Sequence, residues 1–367
     1  MKINPQERIC IIRSAFLGDW ISTIPFLIYL KEDCQIPIEN TYIIVINNKG
    51  LNPVEKIHGP LSLLNKNTQI INSSNFKTIL KSALQIRKRN KYKIDRIIYL
   101  PFTNESWFNV LKKYLISFLI APLNIKRNGF KYYDKFPSIS NSQYFSYFSK
   151  LGIDFKLKKN SVRSFLKLES IITDEGFIKK KKQIAIYASS KLVMKIWPID
   201  NYTKVINEIA NKFEADFFLI GASEDFDYNE LLLNKISKQI NVVNLAGKLD
   251  IPSTISFLSN IDLLISNDGA PVHMAALVDI SIVGLYTSKE PPGTWDPVLS
   301  SNYIVIRTDV MCKNCFKEHC INPICLYYIS PSVVINACED LLNGKIEYAE
   351  NKILIPPYSI SYKSNVI

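Results

Sequence analysis

At 367 residues the chain exceeds one ordinary core, so two domains of similar size are expected. Hydrophobic residues at 47% against 21% charged mark a globular chain and exclude a disordered one. The net charge of +12 favours anionic partners such as phosphorylated sugars, nucleotides or acidic lipid headgroups. Its basic clusters, Arg87 to Lys93 and Lys179 to Lys182, are not interleaved with stacking aromatics, so nucleic acid is not an expected partner.

The first residues carry charges at Glu7, Arg8, Arg13 and Asp19, which break any signal-peptide core. Arg8 to Arg13 reads as a buried strand, followed by a helix from about Asp19 to Glu32. Tyr42 to Ile46 is the next strand, Phe76 to Arg89 has helical spacing, and Asp95 to Leu100 is strand again. The apolar run Tyr114 to Leu123 is too short to span a bilayer, so a cytoplasmic location is expected. Leu168 to Gln183, with Asp174-Glu175-Gly176 and four lysines, reads as a linker.

The pattern then restarts. Strands are expected at Ile184 to Tyr187, Asp216 to Ile220, Asn241 to Leu245, Asp262 to Ser266 and Ser281 to Tyr286. Helices are expected at Ile199 to Lys212, Glu224 to Ser237, Ser253 to Ser259, near Ala270, and at Pro331 to Leu342. Short continuous apolar strands alternating with helices predict parallel sheets covered on both faces. The fold expected is therefore α/β, with two doubly wound domains facing across a cleft and ligands beyond the carboxyl ends of the strands. The first domain is assigned 1–170, the second 183–345, and 346–367 is a tail.

Three loops carry candidate chemistry. In Ser266 to His273, a strand ends in Ser-Asn-Asp, Gly269 permits a sharp turn and Pro271 suits a first helical turn. The amides of that turn and the helix dipole make an anion site, to which His273 can add a donor. Alternatively, Asn267 or Asp268 simply caps the helix. Ser189 to Pro198 offers two hydroxyls and two lysines, and Lys195 can neutralise a diphosphate without a metal. A solvated lysine is the bland alternative. Trp197 and Pro198 read as structural. In Arg13 to Asp19, Gly18 sits at a strand-to-helix turn and Asp19 is either an N-cap or a carboxylate base. Neither G-x-G-x-x-G nor a P-loop occurs, which removes the usual support for nicotinamide enzymes and P-loop kinases.

Seven cysteines, an odd number in a cytoplasmic setting, argue against a disulfide framework. Cys312, Cys315, Cys320 and Cys325 crowd into one loop, and four thiolates can hold zinc or iron. Their spacing lacks the paired knuckles of a zinc ribbon, so reduced thiols packed in a loop are preferred and no metal is expected.

The runs IIRSAFLGDWISTIPFLIYLK, KIWP, LAGKLDIPSTISFLSNIDLLISNDGAPVHMAALVDISIVGLY and SPSVVINACEDLL, in that order, resemble family 9 glycosyltransferases. This is the bacterial heptosyltransferase family of the lipopolysaccharide inner core. The resemblance implies a GT-B type fold with two Rossmann-like domains, acceptor on the first and nucleotide sugar on the second. It also implies inverting transfer with a carboxylate base, matched by Asp19, and no required cofactor. Diphosphate contacts are matched by Ser189, Ser190, Lys195 and the turn through Asp268, Gly269, Ala270 and His273. Glu224 would hold the nucleoside, while Lys248 and Leu249 would line the base pocket. Arg13, Lys126, Arg127 and Lys131 are candidates for an anionic glycolipid or glycan acceptor. ADP-heptose is the expected donor, and peripheral contact with the inner face of the inner membrane is compatible with this role. Asp268-Gly269-Ala270 departs from the Asp-Thr-Gly or Asp-Ser-Gly of many members, removing one hydroxyl. The alternatives are another nucleotide sugar serving capsule, O-antigen or protein glycosylation, and a non-catalytic nucleotide-binding scaffold.

Overall fold

The computed structural model describes residues 2–14, 23–47, 68–72, 94–100, 107–121, 125–128, 151–155, 181–297, 299–344 and 352–354. It also describes single positions at 81, 84, 85, 87, 88, 148, 161 and 165. The chain divides into two compact units, Met1–Leu166 and Lys167–Ile367.

In the first unit, β1 (Ile9–Ser14) is followed by α1 (Ile24–Glu32), β2 (Thr41–Asn47), β3 (Thr68–Asn72), β4 (Arg96–Tyr99), α2 (Trp107–Ile120) and β5 (Lys126–Asn128). The strands run in the order β3-β2-β1-β4-β5, every neighbouring pair parallel. Buried Cys10, Ile12, Ile97 and Tyr99 pack against Val110, Ile116 and Ile120 of α2, so this helix covers one face of the sheet. The expected start of α1 at Asp19, most of the helical stretch Phe76 to Arg89, and the linker before Lys181 lie outside the described residues. Two short strands, β3 and β5, were not expected.

The second unit contains β6 (Lys182–Tyr187), α3 (Ile199–Lys212), β7 (Ala215–Leu219), α4 (Phe226–Leu233) and β8 (Val242–Asn244). It continues through α5 (Ile251–Leu258), β9 (Leu263–Asn267), α6 (Ala270–Leu277), β10 (Ser281–Leu285) and β11 (Tyr303–Ile306). It ends with α7 (Ile324–Tyr327), α8 (Pro331–Leu342) and β12 (Lys352–Leu354). The strand order is β12-β11-β10-β9-β6-β7-β8, again parallel throughout. The sheet does not close at β10: β11 and β12 extend it, so the tail assigned to 346–367 contributes an edge strand. The helix expected over Glu224 to Ser237 is shorter, because Ser223–Asp225 is a 3-10 turn and α4 ends at Leu233.

Both sheets reverse their winding, between β1 and β4 in one and between β6 and β9 in the other. At such a switch point the loops after adjacent strands turn to opposite faces and leave a crevice for ligand. The core of the second unit lies directly beneath. Ile184, Ile186, Leu263, Ile265, Val283 and Leu285 are fully buried against Val205, Ile206 and Ile209 of α3. Burying side chains of this kind contributes roughly 1.5–3 kcal/mol each before entropy is counted, which keeps the crevice floor rigid. Among the described residues, no helix is long and apolar enough to cross a membrane.

Candidate functional site

The loop after β6 and the turn after β9 meet at the switch point, and Asn267 joins them. Its amide nitrogen donates to the Ala188 carbonyl at 2.7 Å and to Ser189 at 3.3 Å. Its amide oxygen accepts from the Tyr202 hydroxyl at 2.9 Å and from the Trp197 backbone N–H at 3.3 Å. Asn267 therefore does not cap α6; it satisfies four polar groups in a fully buried position. Trp197, also fully buried, donates its indole N–H to the Ile329 carbonyl at 3.0 Å and meets Tyr202 edge-on at 5.0 Å. With Trp197 fixed through both its backbone N–H and its indole, Lys195, two residues before it, is brought to the end of β9.

There the Lys195 ammonium donates to Asp268 at 2.5 Å, and the two side chains are only 16% and 10% exposed. Lys195 is thus not a solvated surface lysine. Burial pushes the Asp268 carboxyl up, but the Lys195 charge and hydrogen bond, with His273 and Arg307 adding, bring it below its ordinary value. His273 is buried one turn into α6, and burial lowers it to about 4 against the Asp268 charge that opposes the shift. At neutral pH it is therefore an uncharged imidazole, a hydrogen-bonding group rather than a cation.

Gly269 stands at the N-terminus of α6 with φ −169°, an extended conformation open to any residue. The sharp turn expected of it is absent. Space is the constraint instead, because a Cβ there would lie 2.9 Å from the Tyr187 ring. No side chain caps α6, whose first residues, Ala270 and Pro271, follow the paired Asp268 by two and three positions in the chain. Ser189 Oγ is buried beside the Tyr187 phenol with no regular hydrogen bond among the described residues, while Ser190 Oγ accepts from the Leu192 N–H at 3.3 Å. The structure thus gathers Ser189, Ser190, Lys195, Asp268, Gly269, Ala270 and His273 at one place.

Glu224 lies exposed in the turn after β7, where it accepts from the Ser223 hydroxyl at 2.9 Å. The loop after β8 sits alongside. Gly247, with φ +73°, donates its N–H to the Gly221 carbonyl at 3.0 Å, and a Cβ there would meet Ser223 Cα at 2.9 Å. Glu224, Lys248 and Leu249 therefore share one pair of loops, on the β7–β8 side of the crevice.

Lys289, Glu290, Trp295, Asp296 and Arg307 were not among the residues expected at the site from the sequence. Arg307 is buried over the Tyr286 ring at 4.8 Å and paired with Asp296, and its charge reaches Asp268. These residues follow the carboxyl ends of β10 and β11, and that position was the available signal.

In the first unit, Asp19 and Lys131 lie outside the described residues, as does the side chain of Arg13 at the end of β1. Lys126 is exposed and pairs with Glu7 at 3.5 Å. Arg127 stacks on Phe118 at 4.0 Å and donates to Ser117 Oγ at 2.9 Å and to the Ala121 carbonyl at 3.2 Å. Its guanidinium thereby satisfies the carboxyl end of α2. All seven cysteines are free thiols. Among the described residues no group of three or more His, Cys, Asp or Glu is arranged to hold a metal. Cys325 is nevertheless raised, first by burial and, against a Ser288 backbone hydrogen bond, by Cys312, Cys320 and Cys315 nearby.

Two solved structures share this architecture. A glycosyl transferase of family 9 from Veillonella parvula superposes with TM-score 0.64 at 18% identity, covering 94% of this chain and 99% of that one. The E. coli ADP-heptose lps heptosyltransferase II superposes with TM-score 0.59 at 16% identity, covering 92% and 99%. They show the fold, a GT-B arrangement of two Rossmann-like domains. A lipooligosaccharide heptosyltransferase 2 from Campylobacter jejuni is 25% identical over 154 residues, covering 41% of this chain and about half, 47%, of that relative. Residues 137–325, more than half of the chain, match the model of glycosyltransferase family 9 (heptosyltransferase), and the protein belongs to this family.

Proposed function

We propose that the protein is an inverting, metal-independent glycosyltransferase that moves a sugar from a nucleoside diphosphate onto a lipopolysaccharide core or a related surface glycan. The observation that carries this reading is the buried Lys195–Asp268 pair at the β6/β9 switch point, beside the uncapped start of α6. Lys195 supplies an ammonium and the start of α6, where Pro271 has no N–H and Val272 is already bonded to the Gly269 carbonyl, supplies the Gly269 and Ala270 N–H groups as donors for a diphosphate. ADP-heptose is the donor we favour, because the relatives are named heptosyltransferases and a structural neighbour, the E. coli ADP-heptose lps heptosyltransferase II, carries that donor in its name.

In the reaction, Asp19 takes the proton of the acceptor hydroxyl. The oxygen attacks the anomeric carbon from the face opposite the nucleotide, and the bond to the diphosphate breaks with inversion. Lys195 and the α6 amides stabilise the charge that develops on the leaving diphosphate, and neutral His273 contributes a hydrogen bond rather than a charge. Glu224, Lys248 and Leu249 hold the nucleoside on the β7–β8 side. Basic residues of the first unit, Arg13, Lys126 and Lys131, attract the anionic acceptor, and the work takes place on the cytoplasmic face of the membrane. Asp19→Ala tests the assignment of the base. Donor binding by calorimetry is expected to stay within about twofold, since Asp19 acts on the acceptor, while transfer falls at least about a hundredfold. Unchanged turnover removes Asp19 from that role.

A further inference from the structure

Glu290 follows β10 in a segment tied down on both sides. The Ser288 carbonyl accepts from the Asn314 N–H at 2.7 Å, and the Lys289 carbonyl accepts from the Phe316 N–H at 3.0 Å. Asn314 and Phe316 reach these positions with φ of +59° and +53°, a conformation that costs a bulky residue energy and is kept only where the surroundings impose it. Ser288 Oγ donates to the Thr308 carbonyl at 2.5 Å, and two prolines follow at Pro291 and Pro292. The backbone at Glu290 is therefore fixed before any ligand arrives.

Its side chain, 24% exposed, accepts from Trp295 and lies 3.6 Å from the Lys289 ammonium. Trp295 in turn meets His273 edge-on at 6.1 Å. Burial raises the Glu290 carboxyl and the Asp268 charge raises it further, against Lys195 and Lys289. Glu290 thus borders the same crevice as the anion-binding turn. A carboxylate only accepts hydrogen bonds and repels phosphate oxygens, so its ligand partner there must be a neutral donor. On a nucleotide sugar bound with its diphosphate at Lys195, the neutral donors flanking the diphosphate are the ribose hydroxyls on one side and those of the transferred sugar on the other. With the nucleoside on the β7–β8 side, Glu290, which follows β10 on the other side of β9 and β6, meets the sugar.

We propose that Glu290 is a specificity-determining residue that reads hydroxyls of the donor sugar. This rests on the reading of the crevice as a nucleotide-sugar site. It assigns to Glu290 the binding gained from the sugar, separately from that gained from the nucleotide. A hydroxyl donating to a carboxylate makes a charge-assisted bond, stronger than a neutral pair.

The test is calorimetric titration of the wild type, Glu290→Gln and Glu290→Ala with ADP and with ADP-heptose. The expected result is ADP affinity within about twofold in all three and ADP-heptose weakened at least about tenfold in Glu290→Ala, as for loss of a hydrogen bond to a charged group. Glu290→Gln, which keeps one acceptor oxygen, should fall between. An unchanged ratio of the two affinities overturns the proposal, as does equal weakening of both ligands, which marks Glu290 as a purely structural partner of Lys289 and Trp295. If the wild type prefers UDP or GDP over ADP, the same ratio is measured with UDP-glucose against UDP or GDP-mannose against GDP. The donor assignment then fails while Glu290 is judged on that pair. A wild type that binds none of them overturns both readings.

Discussion

Replacing Lys195 by methionine keeps most of the side-chain volume and removes the charge that holds Asp268. The magnitude follows from burial. At 16% and 10% exposure the pair is largely withdrawn from water, and the loss of Lys195 leaves the Asp268 carboxylate without its nearest cation, with Glu290 also close. Removing one partner of a buried ion pair costs roughly 3–5 kcal/mol, whereas replacing both by neutral groups is often close to neutral. Some solvent reaches Lys195, so the lower part of that range, about 3 kcal/mol, is expected for Lys195→Met. Lys195→Met/Asp268→Asn should recover most of it, giving a coupling of about 2 kcal/mol or more. Urea denaturation measures the totals, and amide exchange on β6 and β9 assigns the transition to the second unit. A loss below about 0.5 kcal/mol for Lys195→Met, or simple additivity in the double variant, refutes the account of a buried, coupled pair.

Two further outcomes are expected. His273 drops from 6.5 to about 4 on folding, so the unfolded chain binds its proton first and stability falls as pH drops through that window. At ~1.4 kcal/mol per pH unit this amounts to about 3 kcal/mol between neutrality and pH 4, and His273→Gln should lack that component in urea melts at stepped pH. Asp268, held below its ordinary value, adds a loss only in more acid solution, outside this window. Gly269→Ala sets a methyl 2.9 Å from the Tyr187 ring and should destabilise by roughly 1–3 kcal/mol in the same melts; no loss shows that the ring moves aside freely.

Much of the fold was legible because buried parallel strands are written as short apolar runs. RICIIR, YIIVI, DFFLI and DLLIS each fell on a strand within a residue or two. Pro331 to Leu342 and Ile199 to Lys212 were delimited by their prolines and amphipathic spacing. Thr68–Asn72 and Lys126–Asn128 escaped because neither carries enough consecutive apolar residues to read as a buried run. Tyr303–Ile306 was apolar enough, but nothing local says that a sheet continues past β10. The loops meeting at the switch point were legible as anion-site candidates, since a lysine, two serines and an Asp-Gly turn follow strand ends. The role of Asn267 was not, because its partners Tyr202 and Trp197 lie 65 and 70 residues away. Glu290 was hidden for the same reason: only tertiary packing brings it to Asp268. Gly269 carried a misleading signal, since glycine permits positive φ but here serves close approach to a ring.

The most direct measurement is thermal stabilisation of the wild type and of Lys195→Met by ADP, ADP-heptose, UDP and GDP sugars at matched concentration. A diphosphate site built on Lys195 gives a rise in Tm that is largest with ADP-heptose, smaller with ADP, and lost in Lys195→Met. A shift that survives Lys195→Met, or no shift with any nucleotide, contradicts a diphosphate site at the β6/β9 switch point.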